Sequence, residues 1–146
     1  MILKWKKLNE KAVIPKRQTE SSAGFDLVAL CENPVVLKIG EIKMIHTGVC
    51  VEPSEKEVAL FVYARSGLAY KHGITLANSV GVIDSDYRGE IMVPLINLGK
   101  EDFVIESGMR IAQLVCQPVI FATSAEVREL SETKRGENGF GSSGIK

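Results

Sequence analysis

The residue best suited to general-base chemistry lies in a short segment in the middle of the chain. The stretch from Asn78 to Gly89 reads NSVGVIDSDYRG, with Asp84 and Asp86 at its tip and Tyr87 just beyond. A free aspartate has a pKa of ~3.9, so it is ionised at neutral pH and can accept a proton from a positioned water. The β-branched residues followed by turn residues favour a β-hairpin. Acids are also common in plain turns, so this segment alone leaves both interpretations open.

A second candidate is an arginine at the end of the most apolar run. Residues 58–64 read VALFVYA, which is typical of a strand buried on both faces, and Arg65, Ser66 and Gly67 follow directly. Ser66 suits the N-cap, and Gly73 the C-terminal end, of a helix of about two turns. Backbone N–H groups at a helix start, beside an arginine, can bind an anion. A salt-bridged arginine and a simple cap explain the same residues equally well.

One acid stands inside an apolar segment, at Asp26 of the stretch AGFDLV. A carboxylate in such a place is costly unless it is paired or lies near a cation. The segment alone favours an aspartate that caps the backbone amides of a turn, and a role near a cation is the alternative.

The last segment, residues 131–146, is polar and glycine-rich. The string GFGSSG beginning at Gly139 matches the dinucleotide-binding pattern, but that pattern needs a strand before it and a helix after it, so we reject this interpretation. Arg135 can add charge, the glycines allow close approach to phosphate oxygens, and Phe140 can stack on a base. Composition alone favours a solvated tail, and we expect an arm that orders on a partner or ligand.

The elements that must position these residues are many short apolar runs separated by Gly, Pro, Asn and Asp. This pattern predicts an all-β sandwich or barrel with one short helix. The 146 residues, 45% of them hydrophobic, are enough for one domain with a core. We expect that domain over residues 1–130 and a flexible glycine-rich arm over 131–146.

Charge and cysteine content restrict the possible partners and environment. With 18 basic and 18 acidic residues, the net charge of zero argues against a nucleic-acid or membrane-surface partner. The three cysteines are widely spaced and predict neither a disulfide framework nor a metal site, and His46 and His72 are isolated. No apolar stretch approaches the roughly 20 residues needed to span a bilayer. We therefore expect a cytoplasmic protein.

Taken in order, these segments resemble the motifs of the trimeric dUTPase family. Each is weak or moderate evidence alone, but their order and spacing are specific, and together they run from residue 23 to residue 144. The family's usual residues are replaced at Ala64, Asn138 and Ser143, and none of these changes removes a side chain that the chemistry uses. The resembling segments are Ala23–Ala29, Ala64–Ala69, Gly81–Gly89, Arg110–Leu114 and Arg135–Gly144.

The resemblance implies an enzyme that hydrolyses dUTP to dUMP and pyrophosphate with Mg²⁺. Asp84 would be the general base that deprotonates a water for attack on the α-phosphate. Tyr87 would stack under the deoxyribose and exclude a 2′-hydroxyl, and Asp26 would reach Mg²⁺ through water. The remaining implied substrate contacts are Asn78, Val82, Ile83 and Met92 at the nucleoside, Arg65, Ser66, Gly67 and Gln113 at the phosphates, and Arg135, Phe140, Gly141 and Ser142 in the arm.

The same resemblance implies a jelly-roll, β-clip-like barrel that assembles as a homotrimer, with the arm of one subunit closing over a neighbour's active site. Such an enzyme would keep uracil out of DNA and supply dUMP for dTMP synthesis. Two alternatives stay open: a dCTP deaminase, which shares the fold, and a non-catalytic regulator that binds nucleotide. Pyrophosphate release, ammonia release, or binding without turnover would distinguish the three.

Overall fold

The structure is a computed structural model and describes residues 1–139. Short strands dominate it, with one helix, as the sequence predicts. The strands are β1 (Leu3–Lys7), β2 (Phe25–Val28), β3 (Val35–Leu37), β4 (Ile42–His46), β5 (Val49–Pro53), β6 (Val58–Ala64), β7 (Ile74–Leu76), β8 (Gly81–Ile83), β9 (Met92–Asn97), β10 (Phe103–Ile105) and β11 (Arg110–Pro118), and the helix is α1 (Ser66–His72).

The strands pair antiparallel in four sheets. The largest has the order β2-β11-β6-β8, a second has the order β4-β9-β7, and β1-β5 and β10-β3 form two-stranded sheets. The expectation of a jelly-roll-like all-β fold is confirmed. The strands form four separate sheets, and none of these sheets closes into a complete barrel within residues 1–139.

One core joins the two larger sheets. Leu60 and Leu114 on the first sheet, and Val93 and Leu95 on the second, are fully buried and belong to the same cluster. Burying a side chain of this kind contributes about 1.5–3 kcal/mol. Because strand side chains alternate between faces, the remaining positions of these strands are free to carry polar groups.

The strand predicted for residues 58–64 is confirmed as β6, which lies between β11 and β8. The helix that follows ends as predicted, with Gly73 left-handed at φ 69°. It begins at Ser66 as predicted, but the prediction of Ser66 as the N-cap is wrong. The carbonyl of Arg65 already accepts the N–H of Ala69 at 3.0 Å, so Arg65 and not Ser66 is the N-cap.

The β-hairpin predicted around Asp84 is also wrong in its pairing. The turn itself exists, since the N–H of Tyr87 donates to the carbonyl of Asp84 at 3.1 Å. The strands on its two sides belong to different sheets, however, because β8 pairs with β6 and β9 pairs with β4 and β7. The segment Asp84–Tyr87, called the Asp84 turn below, therefore connects two sheets.

The chain leaves the last strand at Pro118, and residues 119–139 form no helix or strand. Apolar side chains there point into solvent: Ile120 is 94% and Leu130 is 86% exposed. No helix in the described part of the chain is long and apolar enough to cross a membrane.

Candidate active site

The Asp84 turn presents the Asp84 carboxylate to solvent. Asp84 is exposed, and among residues 1–139 no side chain forms a salt bridge with its carboxylate. The backbone around it is fixed, because Arg88 Nη1 donates to the carbonyl oxygens of Ser85 at 2.8 Å and Tyr87 at 2.9 Å. A carboxylate that is solvent-accessible but held on a rigid turn is available to orient and deprotonate a water.

A cavity of about 220 Å³ opens beside this turn. Pockets for drug-sized ligands measure roughly 300–1,000 Å³, so this one suits a ring and part of a sugar better than a whole nucleotide. Asp84 also borders a larger open cleft, which lacks an aromatic ring from the turn. The smaller cavity is lined by Met44, Val82, Ile83, Asp84, Tyr87, Glu90, Ile91 and Met92.

Tyr87 forms one wall of this cavity, and two contacts set the position of its ring. The Tyr87 hydroxyl donates to the carbonyl oxygen of Glu90 at 3.0 Å. A Cβ atom added at Gly89 would collide with the same hydroxyl, so only glycine allows this approach. The ring thus lies closely against the backbone and presents its remaining surface to the cavity.

The edge of β8 provides backbone groups beside the cavity. β8 is the last strand of its sheet, paired with β6 alone, so its other edge pairs with no described strand. Unpaired N–H and C=O groups on a strand edge can bind a hydrogen-bonding ligand. Val82 and Ile83 therefore lie where the sequence predicts. Asn78 is exposed beside Gly81, at the opposite end of β8 from Asp84, and does not line the cavity.

A separate cluster surrounds Asp26. Its Oδ1 atom lies 3.3 Å from Arg65 Nε, and its Oδ2 atom lies 3.1 Å from Arg110 Nη1 and 2.8 Å from Gln18 Nε2. The Asp26 side chain is only 12% exposed, so these partners offset the cost of burying its charge. Two guanidinium groups against one carboxylate leave a net positive charge, which favours an anion at this place.

Strand register brings these groups together. In β11, Gln113 stands opposite Asp26 of β2 and opposite Tyr63 of β6. The Gln113 amide donates to the carbonyl of Ala64 at 3.0 Å, while a Cβ added at Gly24 would lie 2.7 Å from Gln113 Oε1. Gln113 is thus held next to Arg65, as its predicted role beside the phosphates requires.

Ser66 and Gly67 follow Arg65 at the start of α1, and both are exposed. A Cβ added at Gly67 would meet no atom within 4 Å, so there is open space above this backbone. Arg65 itself is anchored at two nitrogens, because its Nη1 also donates to the carbonyl of Arg110 at 2.9 Å. Its Nη2 group forms no hydrogen bond with residues 1–139 and can donate to a ligand.

The group formed by Asp26, Arg65, Arg110 and Gln113 is called the Arg65 cluster below. Within one chain, the Asp84 turn and the Arg65 cluster lie at opposite ends of β6. Ile83 of β8 stands opposite Leu60. Because the strands are antiparallel, Asp84 extends toward the start of β6 while Arg65 follows its end. At about 3.3 Å per residue, the two lie roughly 20 Å apart along the strand. A single triphosphate cannot span that distance, so the two clusters do not form one site in one chain.

No arm residue among the described residues 131–139 forms a hydrogen bond or salt bridge with either cluster. The exposed Arg135 contacts only its own turn, where its Nε donates to the carbonyl of Asn138 at 2.8 Å. The predicted contacts at Phe140, Gly141 and Ser142 lie outside the described residues.

No group of three or more His, Cys, Asp or Glu side chains suited to holding a metal ion occurs in residues 1–139. Asp26 fits a more distant role toward a metal. A carboxylate has about four acceptor positions, and three of these are used by its two arginines and Gln18. The remaining position on Oδ1 can accept a water that is bound to Mg²⁺.

Sequence reasoning missed several residues that contribute to these clusters. Gln18, Arg110, Met44 and Glu90 come from four separate segments. Only Arg110 and Glu90 lie in or beside a motif-like stretch. Glu90 also gives His46 a partner, since its Oε2 lies 2.9 Å from His46 Nδ1. Burial acts to raise the Glu90 pKa, but hydrogen bonds from His46 and the Gly48 N–H outweigh it and hold that pKa below its ordinary value.

Comparison with known proteins identifies the family. The dUTPase family profile matches residues 10–144. The deoxyuridine 5′-triphosphate nucleotidohydrolase of Rickettsia canadensis is 54% identical over 132 residues, covering 90% of this chain and 88% of that protein. The enzyme of the same name from Nautilia profundicola is 53% identical over 144 residues and 99% of both chains.

The fold leads to the same family. The dUTPase of Staphylococcus bacteriophage 80alpha, solved with dUpNHpp, superposes with a TM-score of 0.88 at 29% identity over 99% of both chains. The chain belongs to the dUTPase family.

Proposed function

We propose that this chain hydrolyses dUTP to dUMP and pyrophosphate, with Asp84 as the general base. The observation that carries the proposal is the exposed Asp84 carboxylate at the rim of a cavity walled by Tyr87. Asp84 takes a proton from a water, whose oxygen attacks the α-phosphorus while the bond to the β-phosphate oxygen breaks. The products are dUMP and pyrophosphate. This hydrolysis would take place in the cytoplasm, where it would keep uracil out of DNA and supply dUMP for dTMP synthesis.

The cavity accounts for selection of the nucleoside. The free edge of β8 at Val82 and Ile83 pairs with the uracil edge, and Met92 adds apolar contact. Asn78 is a further contact that the family resemblance implies at the base. Tyr87 stacks under the deoxyribose and leaves no room for a 2′-hydroxyl, which excludes ribonucleotides. A clash of this kind gives specificity without any added attraction.

The Arg65 cluster accounts for the triphosphate. Arg65, Ser66, Gly67 and Gln113 hold the phosphates, and Arg110 keeps the Asp26 carboxylate in place. Mg²⁺, when bound, would supply charge neutralisation at the phosphate oxygens. Asp26 would reach it through water. Catalysis on this account depends on positioning and charge neutralisation.

The two clusters meet only in an oligomer, for which we propose a homotrimer. Asp84 and Arg65 of one chain are roughly 20 Å apart. Asp84 of one subunit can lie close to Arg65 of a neighbouring subunit. An apolar face is available for contact, since Ile42, Met44 and Met92 on β4 and β9 are 58%, 53% and 41% exposed. Closed cyclic assembly from identical chains satisfies both requirements.

The arm completes the site from another subunit. Arg135 contacts the terminal phosphate, Phe140 covers the uracil, and Gly141 and Ser142 approach the phosphates. The exposure of residues 120–138 supports this role.

Replacing the base tests the reaction. Asp84→Asn should lower kcat for dUTP by about 10²–10⁴-fold and leave binding of dUpNHpp nearly unchanged, since the amide keeps the shape but accepts no proton. Pyrophosphate release from dUTP, dCTP, dTTP and UTP, with Mg²⁺ and with a chelator, gives the substrate range. Turnover of dUTP by Asp84→Asn at the wild-type rate would show that another group is the base.

Asp26→Asn tests how the buried carboxylate acts. Removing its charge should weaken dUpNHpp binding about tenfold, because Arg65 loses a charge-assisted partner. We expect the loss both with Mg²⁺ and with a chelator, measured by calorimetry, and Asp102→Asn on a distant loop is the control. A loss seen only with Mg²⁺ would mean that Asp26 acts through the metal's water alone.

Mixing two inactive variants tests the shared site. Subunits carrying Asp84→Asn and Arg65→Ala, dissociated and reassociated at equal amounts, should regain about a quarter of wild-type activity. In a cyclic trimer about three quarters of the assemblies are mixed, and each mixed assembly has one site of three with both groups intact. Zero recovery despite verified mixed assembly would place Asp84 and Arg65 in the same subunit's site.

Deleting residues 132–146 tests the arm. The truncated chain should keep its melting temperature and oligomeric state, since residues 132–138 are exposed and none of them belongs to the core cluster. Most dUTP hydrolysis should be lost because the site stays open to water. Full activity in the truncated chain would remove the arm from the mechanism.

A further inference from the structure

We propose that Glu90 is a positioning residue that holds Tyr87 in place and thereby sets the discrimination between dUTP and UTP. The inference rests on the proposed function, because it concerns the same cavity. Glu90 follows the Asp84 turn directly, and its contacts connect that turn to a part of the chain more than forty residues earlier.

The Glu90 carboxylate binds the turn between β4 and β5 with both oxygens. Its Oε1 accepts the N–H of Gly48 at 2.7 Å, and its Oε2 lies 2.9 Å from His46 Nδ1. The Glu90 side chain is only 20% exposed, and its bond from Gly48 is partly buried, whereas His46 is 60% exposed. Hydrogen bonds to an ionised acceptor are about twice as strong as neutral ones.

The partner of Glu90 is a rigid part of the fold. Gly48 has φ +69°, and a Cβ at this position would lie 2.5 Å from Leu30 Cδ2 and 2.9 Å from Ala12 Cβ. The turn is therefore packed tightly with its N–H directed at Glu90. Ile91 extends the connection, since its N–H donates to the carbonyl of Val49 at 2.9 Å.

The same residue holds the Tyr87 ring from the other side. The carbonyl oxygen of Glu90 accepts the Tyr87 hydroxyl at 3.0 Å, which is the only hydrogen bond that this hydroxyl forms with residues 1–139. Tyr87 is 44% exposed, so this hydrogen bond and the close approach of Gly89 are the contacts that position its ring. A shift of the Glu90 backbone would move the far end of the ring.

The position of that ring decides whether a 2′-hydroxyl fits. Exclusion by contact is sensitive to distance, because a displacement of about 1 Å at a positioned group can change a rate by as much as 10²-fold. Loss of the Glu90 side chain would release the ring and make room for the ribose. The change in kcat/KM for UTP would then differ from the change for dUTP. A general loss of stability would instead lower both values equally.

The variants are Glu90→Ala, Glu90→Gln and a matched control, Glu41→Ala. Glu41 also accepts a backbone N–H, from Lys38 at 2.9 Å, and lies 3.3 Å from a basic side chain, Lys43. It is on the turn between β3 and β4 and does not line the cavity. Glu90→Gln can still accept from Gly48 and donate to His46, so it is the conservative replacement.

The first measurement is the ratio of kcat/KM for dUTP to that for UTP. Glu90→Ala should lower this ratio at least about tenfold, whereas Glu90→Gln should keep most of it and Glu41→Ala all of it. An unchanged ratio in folded Glu90→Ala, or an equal loss in Glu90→Gln, would overturn the proposal. Melting temperatures establish folding, and Glu90→Asp, which keeps the charge but is one methylene shorter, serves if Glu90→Ala does not fold.

The second measurement does not depend on activity. The chain has three tyrosines, so ring-labelled tyrosine gives an NMR spectrum in which Tyr87→Phe assigns the Tyr87 signal. Glu90→Ala should shift that signal and leave those of Tyr63 and Tyr70 in place. An unshifted Tyr87 signal overturns the positioning role. A wild-type chain that releases no pyrophosphate from dUTP instead overturns the proposed function, and the two failures are thus distinct.

Discussion

The antiparallel pairing of β6 with β8 is the constraint on which the rest of the active site depends. It places the Asp84 turn at the start of β6 and Arg65 at its end. β6 cannot be shortened to bring the two together, because its Val58, Leu60 and Val62 side chains are buried in the core. The distance between Asp84 and Arg65 is thus fixed by the core, and the proposed assembly would combine them through a second chain.

The two acids at these ends are placed in opposite electrostatic environments. Asp26 is nearly buried, and its oxygens are occupied by two arginines and an amide. Asp84 is exposed and forms no salt bridge among the described residues. A buried carboxylate that loses its charge leaves unpaired cations, whereas an exposed one can be altered at little cost to the fold. Asp26 therefore contributes to stability and, in the proposed function, to ligand binding, whereas Asp84 can be altered with little effect on the fold.

The sequence predicted the features that depend on local residues. β6 follows from its continuous apolar run, and the end of α1 follows from Gly73 in the left-handed conformation. The hairpin expected around Asp84 failed because the partner of a strand is set by the core and not by its turn. The partners of Asp26 could not be found in this way either, since Arg110 is 84 positions away in the chain. The motif resemblance named candidate residues but not their contacts.

Glu90 shows how a small β fold fixes an exposed turn. The Asp84 turn lies outside the core, so the core alone cannot hold Tyr87 in one position. Glu90 supplies the missing constraint by connecting the turn to Gly48, whose own position is fixed by packing against Leu30 and Ala12. The core thus fixes the turn at Gly48, that turn fixes the Glu90 carboxylate, and Glu90 in turn fixes the Tyr87 ring. Precision at a surface site is obtained here through hydrogen bonds to rigid backbone rather than through burial of the functional residues themselves.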